Sequence, residues 1–172
     1  MIDDADLALA AQVLDACRAA GLMLATAESC TGGLVAAALT AIAGSSDVVE
    51  RGFVTYSNAA KAELLGVPAP LIADKGAVSA EVAAAMAEGA VTHAKVGLAV
   101  SVTGIAGPGG ATPGKPVGLV HFGLARPGVA TRTERRVFAG DRTAVRAQAM
   151  RLALELLLAG AQAAKTASPH AG

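Results

Sequence analysis

Ser29, Tyr56 and Lys61 are the residues of this sequence whose types and spacing suit acyl transfer. Ser29 follows the short apolar run 22–28, and Gly32-Gly33 and a helix-like stretch to Ile42 come after it. A serine at a strand-to-helix turn stands at the carboxyl edge of a sheet, where the free N–H groups of the helix start face any ligand. The amides of Cys30, Thr31, Gly32 and Gly33 are the candidate donors for an oxyanion there. The alternative is that Ser29 only caps the helix, a role worth about 1 kcal/mol.

A serine hydroxyl needs a base before it attacks. His93 ends a helix, His121 lies within a strand and His170 is near the C-terminus, none with an acidic partner evident in the sequence. Lys61 falls in the first turn of a helix that Asn58 is predicted to cap, where the positive end of the helix dipole disfavours an ammonium ion. With some desolvation it becomes a neutral base, and Tyr56, at the end of the preceding strand, is expected to orient it or relay a proton. A solvated lysine beside an edge tyrosine is the alternative. Cys30 is a rival nucleophile, because a thiol at a helix N-terminus has a lowered pKa, and local physics does not separate it from Ser29.

Apolar periodicity supplies the elements around these residues. Residues 4–20 read as a helix stopped by Gly21, 22–28 as a strand, 52–57 as a second strand, and 59–65 as a short helix ended by Gly66 and Pro68. Ser79 caps a helix to His93, and 96–102, the most apolar strand, is expected at the centre of the sheet. The Gly- and Pro-rich segment 103–116 suits a binding loop. Strands 117–125 and 131–138 pair as a hairpin through Arg126-Pro127-Gly128, and a long helix runs from Asp141 to about Ala164. The fold class predicted is α/β, three-layer α/β/α with a mixed, mostly parallel sheet. Residues 1–165 are read as a single domain and 166–172 as a flexible tail.

Composition removes several classes. Fourteen basic residues balance fourteen acidic ones in 172, and with no Trp, one Tyr and three Phe there is neither a basic field nor a stacking platform for nucleic acid. Hydrophobic residues make up 53% and the mean hydropathy is +0.52, yet alanine carries much of this and no run reaches the roughly 18 apolar residues of a membrane span. The acidic start Met1-Ile2-Asp3-Asp4 is unlike a secretory leader, so a soluble, cytoplasmic protein is expected. Cys17 and Cys30 form neither a disulfide framework nor a zinc motif, so neither metal nor cofactor is expected. Gly114-Lys115 is followed by Pro116, which breaks a Walker loop, and the dinucleotide fingerprint is missing.

Three ordered blocks carry a closer signal: Ala27-Glu28-Ser29-Cys30-Thr31-Gly32-Gly33; Gly52 to Lys61 with Leu64-Leu65-Gly66-Val67; and Ser101-Val102-Thr103-Gly104-Ile105-Ala106-Gly107-Pro108. Together they resemble the CinA C-terminal domain family, from about residue 6 to 160. The stand-alone members of that family are nicotinamide-nucleotide amidohydrolases. The resemblance implies hydrolysis of nicotinamide mononucleotide to nicotinate mononucleotide and ammonia, without metal, by a serine, a lysine and a tyrosine matching Ser29, Lys61 and Tyr56. It also favours Ser29 over Cys30. Ala111, where the family commonly has glycine, and Leu119, where threonine is common, depart from the pattern. The pyrophosphatase-like domain of the longer members is not in this sequence. The partner implied is a small nucleotide, and a homo-oligomer is compatible with the sequence. For its phosphate or ribose the resemblance points to Arg142, and Ser45 and Ser46 after Gly44 are further candidate donors, with a solvated turn as the alternative. Thr103 is a candidate to hold the amide or support Ser29, and the backbone of Gly104 and Gly107 can approach a ligand closely.

Overall fold

The computed structural model describes residues 2–167. Its strands are β1 (Leu24–Glu28), β2 (Val49–Val54), β3 (Leu98–Gly104), β4 (Leu119–Arg126) and β5 (Val129–Val137). They lie in the order β2-β1-β3-β4-β5. The first three are parallel, and β4 and β5 continue the sheet as an antiparallel hairpin. The most apolar strand is therefore central, as expected. The helices are α1 (Asp4–Ala20), α2 (Leu34–Thr40), α3 (Asn58–Leu65), α4 (Ala69–Lys75), α5 (Ala80–Ala94) and α6 (Arg142–Ala167).

Two cores flank the sheet and make the three-layer α/β/α architecture. On one face Val13, Leu14, Val35, Leu39, Met150, Leu154 and Leu157 of α1, α2 and α6 pack on Leu24, Leu98, Val100 and Val102. On the other, Leu65, Ile72, Val82 and Met86 of α3, α4 and α5 pack on Ala25, Ala27 and Ala99. Because both faces are covered, β1 is buried along its whole length, which explains its unbroken apolar run. Gly89 lets α5 approach α3, since a side chain there would collide with the Leu65 carbonyl. That close approach holds α3 down on the sheet, and Lys61 with it.

Several local expectations need correction. The cap of α3 is Ser57, whose Oγ accepts from the Ala60 amide at 3.0 Å, and Asn58 is its first helical residue. Pro68 both ends that stretch and caps α4, a helix not anticipated from the sequence, with Pro70 tolerated in its first turn. Helix α2 starts at Leu34, directly after Gly32-Gly33 as expected, but ends at Thr40, two residues short of Ile42. Helix α6 continues through Thr166 and Ala167, residues assigned above to a tail, while 168–172, with His170, lie outside the described residues. Among the described residues no helix is long and apolar enough to cross a membrane.

Candidate active site

The parallel pairing of β1 with β2 sets Glu28 beside Val54, so the chain leaves both strands at the same edge of the sheet. Ser29 follows one exit; Thr55, Tyr56 and α3 follow the other. Alternation along β1 then decides which side chain points where. Leu24 belongs to the α1/α2/α6 core, and Ala25 and Ala27 to the α3/α4/α5 core. Continued past the strand, the same alternation sends Ser29 towards α3 and Cys30 into the opposite core, where Cys30 is packed.

Lys61 Nζ meets Ser29 there. It lies 3.1 Å from Ser29 Oγ and donates to the Thr55 carbonyl oxygen at 2.9 Å. The lysine is only 1% exposed, and its pKa is lowered from the usual lysine value, chiefly by burial. Among the described residues no carboxylate pairs with it. The hydrogen bond expected between Tyr56 and Lys61 is not made: the Thr55 carbonyl orients the amine. Tyr56 is instead 61% exposed, at the mouth, where its hydroxyl accepts from Arg142 Nη2 at 2.8 Å. Burial pushes the Cys30 thiol up to about 12, which leaves it protonated near neutrality.

A cavity of about 250 Å³ opens at this edge, lined by Ser29, Tyr56, Lys61, Thr103, Gly104 and Arg142 among others. Thr103 supports its wall rather than Ser29, because its hydroxyl donates to the Ala77 carbonyl at 2.8 Å. Arg142 also donates to the Gly107 carbonyl at 2.9 Å, which ties the glycine-rich loop to the start of α6. Asp141 caps that helix through the Ala144 amide. His121, opposite Thr103 in the sheet, is held to a lowered pKa, first by burial, and does not line the cavity.

The turn Ser29–Gly33 is fixed from beneath by two residues the sequence reading did not assign. Glu28, fully buried, accepts from Thr26 Oγ1 (3.1 Å) and from the amides of Gly33 (3.0 Å), Val35 (3.1 Å) and Ala36 (2.9 Å). Gly33 has φ 97°, a conformation that a side chain would strain. Arg146 donates to the Cys30 carbonyl at 3.1 Å and the Thr31 carbonyl at 2.9 Å, which ties the turn to α6. The oxyanion donors narrow accordingly. Gly32 N–H is spent on the Ser29 carbonyl and Gly33 N–H on Glu28, whereas those of Cys30 and Thr31 have no partner residue among the described residues. A charge at the end of an apolar strand, as at Glu28, was the one available signal for this support.

Ser45 and Ser46 are not part of the site. They precede β2, whose start is paired with Leu24, and so lie at the amino edge, about 20 Å from the cavity by strand length. Gly44 and Asp47 around them bind Arg18 of α1.

Glu28→Gln is expected to lower stability by about 2–3 kcal/mol, because one acceptor becomes an amide donor facing amide donors. The urea midpoint should fall at unchanged m; an unchanged midpoint would mean that the carboxylate does not hold the turn.

A buried serine–lysine contact at the carboxyl edge of this α/β/α sheet defines a domain of the CinA C-terminal type: the family model matches residues 6–160, and the chain belongs to that family. It is 50% identical over 157 residues to the nicotinamide-nucleotide amidohydrolase PncC of Escherichia coli K12, covering 91% of this chain and 95% of that protein. CinA-like proteins of Citrifermentans bemidjiense and Geobacter sp. (strain M21) are 59% and 60% identical over 81% and 75% of this chain. The matched parts are 34% and 31% of those proteins, so the chain spans about a third of their length. Among solved structures, the competence/damage inducible protein CihA of Agrobacterium tumefaciens superposes with a TM-score of 0.89 at 46% identity, over 93% of this chain and 98% of that one.

Proposed function

We propose that this chain hydrolyses nicotinamide mononucleotide to nicotinate mononucleotide and ammonia, with Ser29 as nucleophile and Lys61 as its base. The observation that carries this reading is the Lys61–Ser29 contact of 3.1 Å, made by an amine with no counter-ion among the described residues. Neutral Lys61 takes the Ser29 proton as Oγ bonds to the carboxamide carbon, and the amides of Cys30 and Thr31 receive the oxyanion. The Lys61 ammonium returns that proton to the departing nitrogen as the C–N bond breaks, releasing ammonia. Water then attacks the ester, Lys61 takes a proton from it, and Ser29 leaves reprotonated. Arg142 and the Tyr56 hydroxyl at the mouth suit the ribose phosphate. The reading includes a cytoplasmic location, in keeping with Cys17 and Cys30 being free thiols.

The substrate is tested by following ammonia from nicotinamide mononucleotide, its dephosphorylated riboside, free nicotinamide and glutamine. The mononucleotide should have the highest kcat/KM, with loss of the phosphate costing about 100-fold, as for a charge-assisted contact. Saturable binding without ammonia would identify a nucleotide-binding module instead. Equal rates on all amides would identify a general amidase.

A further inference from the structure

We propose that β5 is the edge through which two copies of this chain join their sheets, antiparallel and centred on Thr133. Strand β5 is the outermost of the sheet and nine residues long, and most of its side chains are exposed. A regular edge of this length is a template for another strand unless bulges or charges disrupt pairing. The β4–β5 ladder shifts register only at the hairpin tip, near Leu124 and Arg126, which leaves the rest of β5 unbroken. Its charges decide what can pair.

A two-fold axis perpendicular to the sheet sets residues of the same face opposite each other, so it must pass through one residue position. Centred on Thr133, it places Arg132 opposite the partner's Glu134 and, by symmetry, Glu134 opposite the partner's Arg132. Val129 and Val137, 54% and 50% exposed, then face the partner's Val137 and Val129. Thr131 meets Arg135, Ala130 meets Arg136, and no like charges coincide.

Neighbouring registers fail this test. Centring on Arg132 or Arg135 opposes that arginine to itself. Centring on Glu134 opposes it to itself and sets Arg132 against Arg136, and centring on Thr131 pairs only residues 129–133 of β5 and brings no opposite charges together. Opposite charges across a ladder stabilise it and like charges weaken it, so the pattern selects one arrangement. Within one copy Glu134 already pairs with Arg132 at 3.0 Å and with Arg136, which keeps the carboxylate poised along the edge.

The test combines mass in solution with register-specific cross-linking on the full chain. By sedimentation velocity at micromolar concentration the wild type should run as two copies of the 16.8 kDa chain. Arg132→Glu and Glu134→Arg singly should each weaken the dimer at least tenfold, and the double exchange should restore it. Under mild oxidation Thr133→Cys should give a covalent dimer, because the two residues meet on the axis within disulfide reach, whereas Thr131→Cys should not. A monomeric wild type, single reversals without effect while circular dichroism shows a folded chain, or cross-linking at 131 and not at 133 would overturn the proposal.

Discussion

Replacing Ser29 by alanine is expected to lower kcat/KM for ammonia release from nicotinamide mononucleotide by about 10⁴-fold or more, with the fold retained. Loss of a covalent nucleophile removes a whole reaction path, leaving only binding and the oxyanion donors. Stability should change little, since Ser29 Oγ has Lys61 as its sole side-chain partner among the described residues. Cys30→Ala should keep most of the activity, because the thiol is buried in the opposite core and protonated near neutrality. A Ser29→Ala enzyme at wild-type rate, or a dead Cys30→Ala enzyme that is folded, would reverse the assignment of the nucleophile.

Lys61→Met should cost about 10³-fold in kcat/KM, the range of a lost general base. It also has a signature in stability that a solvated lysine would lack. The folded pKa of Lys61 is lowered below 10.5 by burial, so between the two values the unfolded chain binds more protons than the folded one. Wild-type stability relative to Lys61→Met should therefore rise with pH across that window. Below the lowered value the full cost of burying the amine remains, and above 10.5 it is gone. Activity has the same sign: in the proposed mechanism the neutral amine is the working form, so kcat/KM should climb as pH rises through the folded pKa. Denaturant midpoints and rate profiles over the same pH series check both.

The sequence singled out Ser29 and Lys61 as candidates but did not reveal their contact, which spans 32 residues. Only the parallel pairing of β1 with β2 brings the two strand exits together, and periodicity does not reveal strand order. The Ser29 and Cys30 choice had the same limit: alternation separates the neighbours once it is known which helices cover which face. Ser45 and Ser46 failed for lack of direction, since a turn before a parallel strand and a turn after it lie at opposite edges. Tyr56 was read by proximity along the chain, yet its hydroxyl is held by Arg142 from α6, a long-range pairing no local pattern encodes. The three-layer architecture was legible because its two apolar cores are written in the helix and strand periods. The cap at Ser57 was missed by one residue, and α4 was hidden by prolines that start a helix as readily as they end one.

The protonation of Lys61 is the point on which the mechanism turns, and it can be read at the atom concerned. Nuclear magnetic resonance titration of the lysine side-chain nitrogens, with the Lys61 signal assigned by its loss in Lys61→Met, should show that group deprotonating below the ordinary lysine value of 10.5. Its midpoint should coincide with the rising limb of the kcat/KM profile. A Lys61 that titrates together with the exposed lysines, while the enzyme works at neutral pH, would contradict the role given to it.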